Sequence, residues 1–288
     1  MASTQQLRQR ITSVKNTKQI TKAMEMVAAS KLRRAQDSAT ASREFAKIAN
    51  ELLTRIRKLT DVDKHPLFER REVKNKLIIV VASDRGLAGG YNASLLKEFA
   101  RQLQADRAAG VTSKVIAVGK KATNFCAKVS DIELIGAYHD FIDAPTAEDI
   151  RPILSTAING FKSSEFDAVD VVFTDYVSSI NQKPTTTHLL PVAFEDVDVP
   201  VHLQDAVFEP TPKAVLEEVT ERFIEVRITQ YMLESAASEH SSRMIAMKNA
   251  TDNANDIVDD LTLALNTARQ AAITQELAEI TGGTEAIG

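Results

Sequence analysis

Glycine and proline are missing from both ends of this chain. All eight prolines lie between Pro66 and Pro212, and neither residue occurs from Met1 to His65 or from Lys213 to Thr281. Inside a helix glycine costs about 1 kcal/mol and proline about 3 kcal/mol. Two long breaker-free segments therefore read as helical arms around a middle of ordinary composition. Aromatic residues make up only 5% of the 288 and tryptophan is absent, as alanine-rich helices would produce.

Both arms carry a heptad pattern. In the first, a 3,4-spaced series runs from Leu7 and Arg10 through Val14, Thr17, Thr21, Met24, Ala28, Lys31, Ala35 and Ser38 to Ser42, Phe45, Ala49, Leu52, Ile56 and Leu59. In the second it runs from Leu216, Val219 and Phe223 through Ala237, His240, Thr251 and Ala254 to Ala268, Ala272 and Gln275. A repeat sustained this long imposes a left-handed supercoil. Thr211 and Pro212 supply a helix start, and Gly282 with Gly283 a stop. Each arm alone leaves an apolar stripe in water, so the two are expected to pair antiparallel. Their charges agree with that: residues 1–34 hold eight Lys/Arg and one Glu, and residues 251–288 hold seven Asp/Glu and one Arg. At ~1.5 Å per residue the arms reach roughly 85 and roughly 100 Å. A middle of this size spans about 35–40 Å, so the hairpin is expected to project beyond it. The outer seam, with Thr17, Thr21, Ala28, Ala237 and Thr251, buries little apolar surface and calls for support from partner subunits.

Between the arms, strand-like and helix-like runs alternate. "KLIIVV", "KVIAV" and "AVDVVFTDY" read as buried strands and "TTTHLLPVAF" as a further candidate. Residues 92–109, 120–129 and 146–163 read as helices, the last opening on Thr146 and Asp149 in capping-box spacing. The expected architecture is α/β: a Rossmann-like open domain over 70–207, with coiled-coil helices over 1–60 and 208–288.

"SDRGLAGGYN" (Ser83–Asn92) sits after the first strand, where such a domain binds phosphate. A Walker loop needs Lys and Ser/Thr after its last glycine, and here Tyr91 and Asn92 follow Gly90. The spacing of Gly86, Gly89 and Gly90 does not make GxGxxG either, so a tight structural turn is expected. The five histidines show no metal spacing, and Cys126, the single cysteine, reads as a packed thiol in a reducing compartment. No catalytic constellation emerges. The net charge of −4 carries no nucleic-acid signature, and the longest apolar run is far short of the ~20 residues of a membrane span. Two other readings remain open on residue patterns alone: a nucleotide-binding enzyme with helical dimerisation arms, and a coiled-coil adapter or nucleic-acid-binding hairpin.

Five motifs decide between them by resemblance. "RITSVKNTKQITKAMEMVAASKLRRAQ" (Arg10–Gln36) resembles the N-terminal helix of the γ subunits of F-type ATP synthases. "RMIAMKNATDNA" (Arg243–Ala254) and "ARQAAITQELAEITGG" (Ala268–Gly283) resemble their C-terminal helix. "SDRGLAGGYN" is similar to their central turn, and "VFEPTPKAVLEEV" to the start of their long helix. The resemblance runs from end to end and implies a bacterial-type central rotor. It implies a single copy per complex, standing in a ring of α and β subunits, with its foot on the ε subunit and the membrane ring of c subunits. It implies that ATP, ADP and Mg are bound by the α and β partners, that this chain binds no cofactor, metal or nucleic acid, and that it lies peripherally on the cytoplasmic face of the inner membrane. By the same resemblance Met24, Arg243, Arg269, Gln270 and Thr274 contact the sleeve, Phe208 and Glu209 belong to the foot, and Gly86, Gly89 and Gly90 form a structural turn. With Cys126 alone, and Ala88 where many relatives carry cysteine, the redox switch of the chloroplast branch is not expected. No targeting segment is expected either. Small residues such as Ala28 and Ala237 are expected to let the axle slide past its sleeve.

Overall fold

The computed structural model describes residues 4–57, 59, 65–129, 132–140, 145–193, 208–209 and 211–285. Two helices dominate it, α1 (Thr4–Arg57) and α5 (Pro212–Glu285). The chain divides into two compact units, Met1–Ala28 with Arg243–Gly288, and Ala29–Ser242. The division cuts across both helices.

In the smaller unit the Thr21 and Thr251 hydroxyls meet at 2.8 Å. In the larger unit Arg43 donates through Nε and Nη2 to Glu234 Oε1 at 3.0 and 2.8 Å. Each unit thus has its own contact between α1 and α5. Thr211 caps α5, its hydroxyl accepting from Ala214 N at 3.2 Å. The glycines at 282 and 283 do not stop it: α5 continues to Glu285, because glycine weakens a helix without forbidding it.

The seam of α1 differs from the expected one in every second member. Leu7, Ala28, Ala35, Ala49 and Ile56 are buried as expected, but their partners are Leu32, Ala39, Ala46 and Leu53, not Lys31, Ser38, Phe45 and Leu52. The spacing is four-then-three, where the heptad series predicts three-then-four. Phe45 is 47% exposed beside buried Ala46. The small residues face inward, as their places in the heptad series predict: Ala28 and Ala237 are each 1% exposed. In α5 the expected register is buried or half-buried through Ala268, while Ala272 and Gln275 are exposed.

The middle of the larger unit is a five-stranded sheet in the order β3-β2-β1-β4-β5. Its strands are β1 (Asn75–Val81), β2 (Thr112–Val118), β3 (Glu133–Tyr138), β4 (Ala168–Tyr176) and β5 (Gln182–Leu190). The first four are parallel and β5 is antiparallel to β4. Helices α2 (Tyr91–Ala108), α3 (Lys120–Cys126) and α4 (Ala147–Lys162) connect them, and α4 opens on a Thr146–Asp149 capping box. Three strands stand where expected. The candidate strand at 185–194 begins earlier, at Gln182, and ends before Pro191, and its last residue, Phe194, lies outside the described residues, as does the domain boundary at 207. Strand β3 is not among the expected ones. It is a short edge strand with no fully buried side chain, and it contains Gly136, where a Cβ would come within 3.0 Å of Tyr138.

The core under α2 and α3 is built from Ile78, Val80, Leu95, Phe99, Val115, Ala117 and Val172. Beside it lies a buried charge network. Lys76 Nζ reaches Asp106 at 2.7 Å and Asp170 at 3.0 Å, and Asp170 also contacts Nδ1 of exposed His188 on the paired strand. One lysine cannot neutralise two carboxylates. The hydrogen bond to Asp170 outweighs desolvation and raises the pKa of His188. The stability that His188 adds is therefore complete below its unfolded pKa of about 6.5 and is lost as pH rises through the higher folded value. The stability difference between the native chain and a His188→Gln variant, measured by urea titration from acid to mildly alkaline pH, should be largest at the acid end. A pH-independent difference would contradict the assignment.

Candidate functional site

The glycine turn runs from the end of β1 into α2. Two of its residues are left-handed, Leu87 (φ 60°) and Gly89 (φ 54°). Gly89 supplies that geometry without a steric cost. Gly86 and Gly90 have negative φ, and a Cβ on either would meet nothing closer than Lys121 Nζ at 4.0 Å or Ser94 Oγ at 3.9 Å. Asn92 Oδ1 closes the turn, accepting from Ser83 N at 3.2 Å and lying 2.9 Å from Ser83 Oγ. The turn delivers a buried Tyr91 as the first residue of α2.

Open α/β sheets bind ligands beyond the carboxyl ends of their strands, where the strand order reverses. Here that place lies between β1 and β4, and α5 occupies it. Every residue from Tyr231 to Ser241 is buried, so the helix is enclosed on all sides. Ser235 Oγ donates to Val81 O, at the end of β1, at 3.2 Å. Ser238 Oγ donates to Thr174 O of β4 at 3.1 Å. Ser241 Oγ donates to Ser179 O, in the β4–β5 turn, at 2.9 Å. Tyr91 and Ser235 hydroxyls lie 2.7 Å apart. The Ser235 proton points to Val81 O, so Tyr91 is the donor of that pair. Tyr231 stacks on Phe173 of β4 at 4.4 Å between ring centroids. Helix α1 joins at the same level, with Gln36 Nε2 donating to Tyr176 OH at 2.8 Å and Arg43 clamping Glu234.

A family model described as ATP synthase matches residues 3–287. The ATP synthase gamma chain of Stenotrophomonas maltophilia is 38% identical over 100% of both chains. That of Chloroflexus aurantiacus is 40% identical over 100% of this chain and 99% of its own.

The chain belongs to the ATP synthase gamma-chain family.

Solved structures share its fold. A chain from the Euglena gracilis mitochondrial ATP synthase, in a structure of OSCP, F1 and c-ring, superposes with a TM-score of 0.66 at 18% identity, covering 99% of this chain and 94% of that one. A chain from the Tetrahymena thermophila mitochondrial central stalk and c-ring gives 0.61 at 24%, covering 80% and 99%.

The residues singled out by resemblance to this family fall in separate places. Met24 and Arg243 are half-buried, on α1 and α5. Arg269, Gln270 and Thr274 are exposed near the end of α5, and Thr274 Oγ1 bonds back to Gln270 O at 2.9 Å. Every residue from Arg269 to Thr281 is exposed, among them Ile273, Leu277 and Ile280. Phe208 is half-buried and Glu209 exposed just ahead of α5. The serines at 235, 238 and 241 are not among the residues that the sequence singles out. Their only signal is the run "ESAASEHSS", in which serine and alanine fill five of the seven positions between Glu234 and Ser242.

The three glycines of the turn should respond unequally to a Cβ. Gly89→Ala should destabilise the chain by about 1–2 kcal/mol, the cost of forcing a left-handed residue. Gly86→Ala and Gly90→Ala should stay within about 0.5 kcal/mol. Chemical denaturation of the three variants checks the ranking, and equal losses would contradict it.

Proposed function

We propose that this chain is the central rotor shaft of an F-type ATP synthase. It couples ion flow through a membrane ring of c subunits to ATP synthesis or hydrolysis at the β subunits. The observation that carries the proposal is likeness to gamma chains over the whole length, 38% identity with nothing left over on either side. The geometry supports it. Apolar Ile273, Leu277 and Ile280 stand in solvent at the end of α5, as an axle meant for a sleeve would leave them. Met24, Arg243, Arg269, Gln270 and Thr274 face α and β subunits. The two arginines make charge-assisted hydrogen bonds to carboxylates in one rotary position and release them in the next. Phe208 and Glu209 belong to the foot that meets the ε subunit and the c ring.

In this reading the chain is non-catalytic. The crevice in which an open α/β sheet would hold a nucleotide contains its own helix α5. ATP, ADP and Mg are then bound by the α and β partners. Among the described residues no helix is long and apolar enough to cross a membrane, in keeping with a peripheral subunit on the cytoplasmic face of a bacterial membrane.

Rotation tests this directly. Cys126 is buried, and desolvation pushes its thiol pKa up to about 11, so it resists alkylation. Ala108 is exposed at the end of α2, and an Ala108→Cys variant can be labelled selectively in the complex purified from its native membrane. With the complex fixed to glass through its α and β subunits, a bead attached to the introduced thiol should turn in one direction when ATP is supplied. ATP hydrolysis under a stationary bead would contradict the proposal.

A further inference from the structure

The sheet and the shaft helices belong to one body only if something prevents α5 from sliding or rolling over the strand ends. Apolar contact alone does not do this, because the hydrophobic effect is non-directional. The buried stretch of α5 is nevertheless polar at Glu234, Ser235, Ser238, Glu239, His240 and Ser241. Ser235, Ser238 and Ser241 recur at every third residue and each donates to a main-chain carbonyl, at 3.2, 3.1 and 2.9 Å. The acceptors are backbone atoms of β1, β4 and the β4–β5 turn, so they cannot swing away as side chains can. The three donors are spread over roughly 9 Å of helix axis at ~1.5 Å per residue. A roll of the helix breaks all three bonds together, and a slide along its axis carries all three hydroxyls out of line with their carbonyls.

We propose that Ser235, Ser238 and Ser241, with Tyr91 behind Ser235, are the residues that lock the sheet domain to the shaft and carry torque between them. They are positioning residues that touch no substrate. The glycine turn acquires its role here: Gly89 and Ala88 lead the chain so that Tyr91 donates to Ser235 at 2.7 Å. The lock extends to the second helix. Gln36 of α1 donates to Tyr176 at the end of β4, and Arg43 joins α1 to Glu234 of α5 one residue from Ser235. Both helices are thereby attached to β4 at the level where α5 is enclosed.

This inference rests on the rotor reading, and one preparation separates the two. In the Ala108→Cys complex carrying its bead, with no nucleotide present, thermal fluctuation of the bead angle reports the stiffness between the sheet domain and the clamped shaft. Adding the triple substitution Ser235→Ala, Ser238→Ala, Ser241→Ala should raise the angular variance by about twofold or more, since each lost hydrogen bond removes a directional restraint. Ser→Thr at the same positions keeps the hydroxyls and should restore most of the stiffness. A merely structural role would lower thermal stability and leave the variance of the assembled complex unchanged, and that result overturns the proposal. If the triple variant does not assemble, Tyr91→Phe removes one donor in an otherwise intact core. A smaller rise in variance then supports the lock, and none overturns it. Failure of the native complex to rotate would instead defeat the rotor reading itself.

Discussion

Three serine hydroxyls, donated from a helix enclosed on every side to main-chain carbonyls at the ends of strands, organise the larger unit. A buried hydroxyl without a partner costs about 1–3 kcal/mol, whereas a satisfied one contributes about 0.5–1.5 kcal/mol. Ser235, Ser238 and Ser241 therefore favour one placement of α5 and penalise its neighbours. An all-apolar face at these positions would bury the helix equally well and specify its register less sharply. The same contact places α5 where an open α/β sheet would take a ligand. One arrangement thus accounts for a nucleotide-type domain in a subunit whose function is mechanical.

The paired helices follow a different logic. Both bury many alanines, with Ala28, Ala35, Ala39, Ala46 and Ala49 on α1 and Ala236, Ala237 and Ala254 on α5. Small side chains let backbones approach closely, and each contributes little apolar area. Larger anchors come where α1 ends and α5 begins, with Leu53 and Ile56 on one helix and Leu216, Phe223 and Ile224 on the other. Toward the opposite end of α5 every residue from Arg269 to Thr281 is exposed, so packing within the chain gives way to open surface.

Much of this is legible in the residues and some is not. The absence of glycine and proline predicts both arms, and dense β-branched runs predict β1, β2 and β4, because those signals are local. The seam register of α1 is harder. At Phe45–Ala46 and Leu52–Leu53 two adjacent apolar residues compete for one inward position, and at the first the smaller residue occupies it. Helix–helix distance decides that, and it is not a local property. Strand β3 is hidden by Gly136 and its half-exposed edge position. The glycine turn looks like chemistry because its position is right for phosphate. Its role becomes visible only once Tyr91 is seen against Ser235, a residue 144 positions away in sequence. The serines carry almost no signal, since a serine in a helix gives no indication of which carbonyl it meets.

Native-state hydrogen exchange along α5 tests the central claim most directly. If the helix is enclosed and locked at the strand ends, the amides from Tyr231 to Ser241 should exchange only through global unfolding. Those from Gln270 to Thr281 should exchange many-fold faster, by local opening. Comparable exchange in the two stretches would contradict the account.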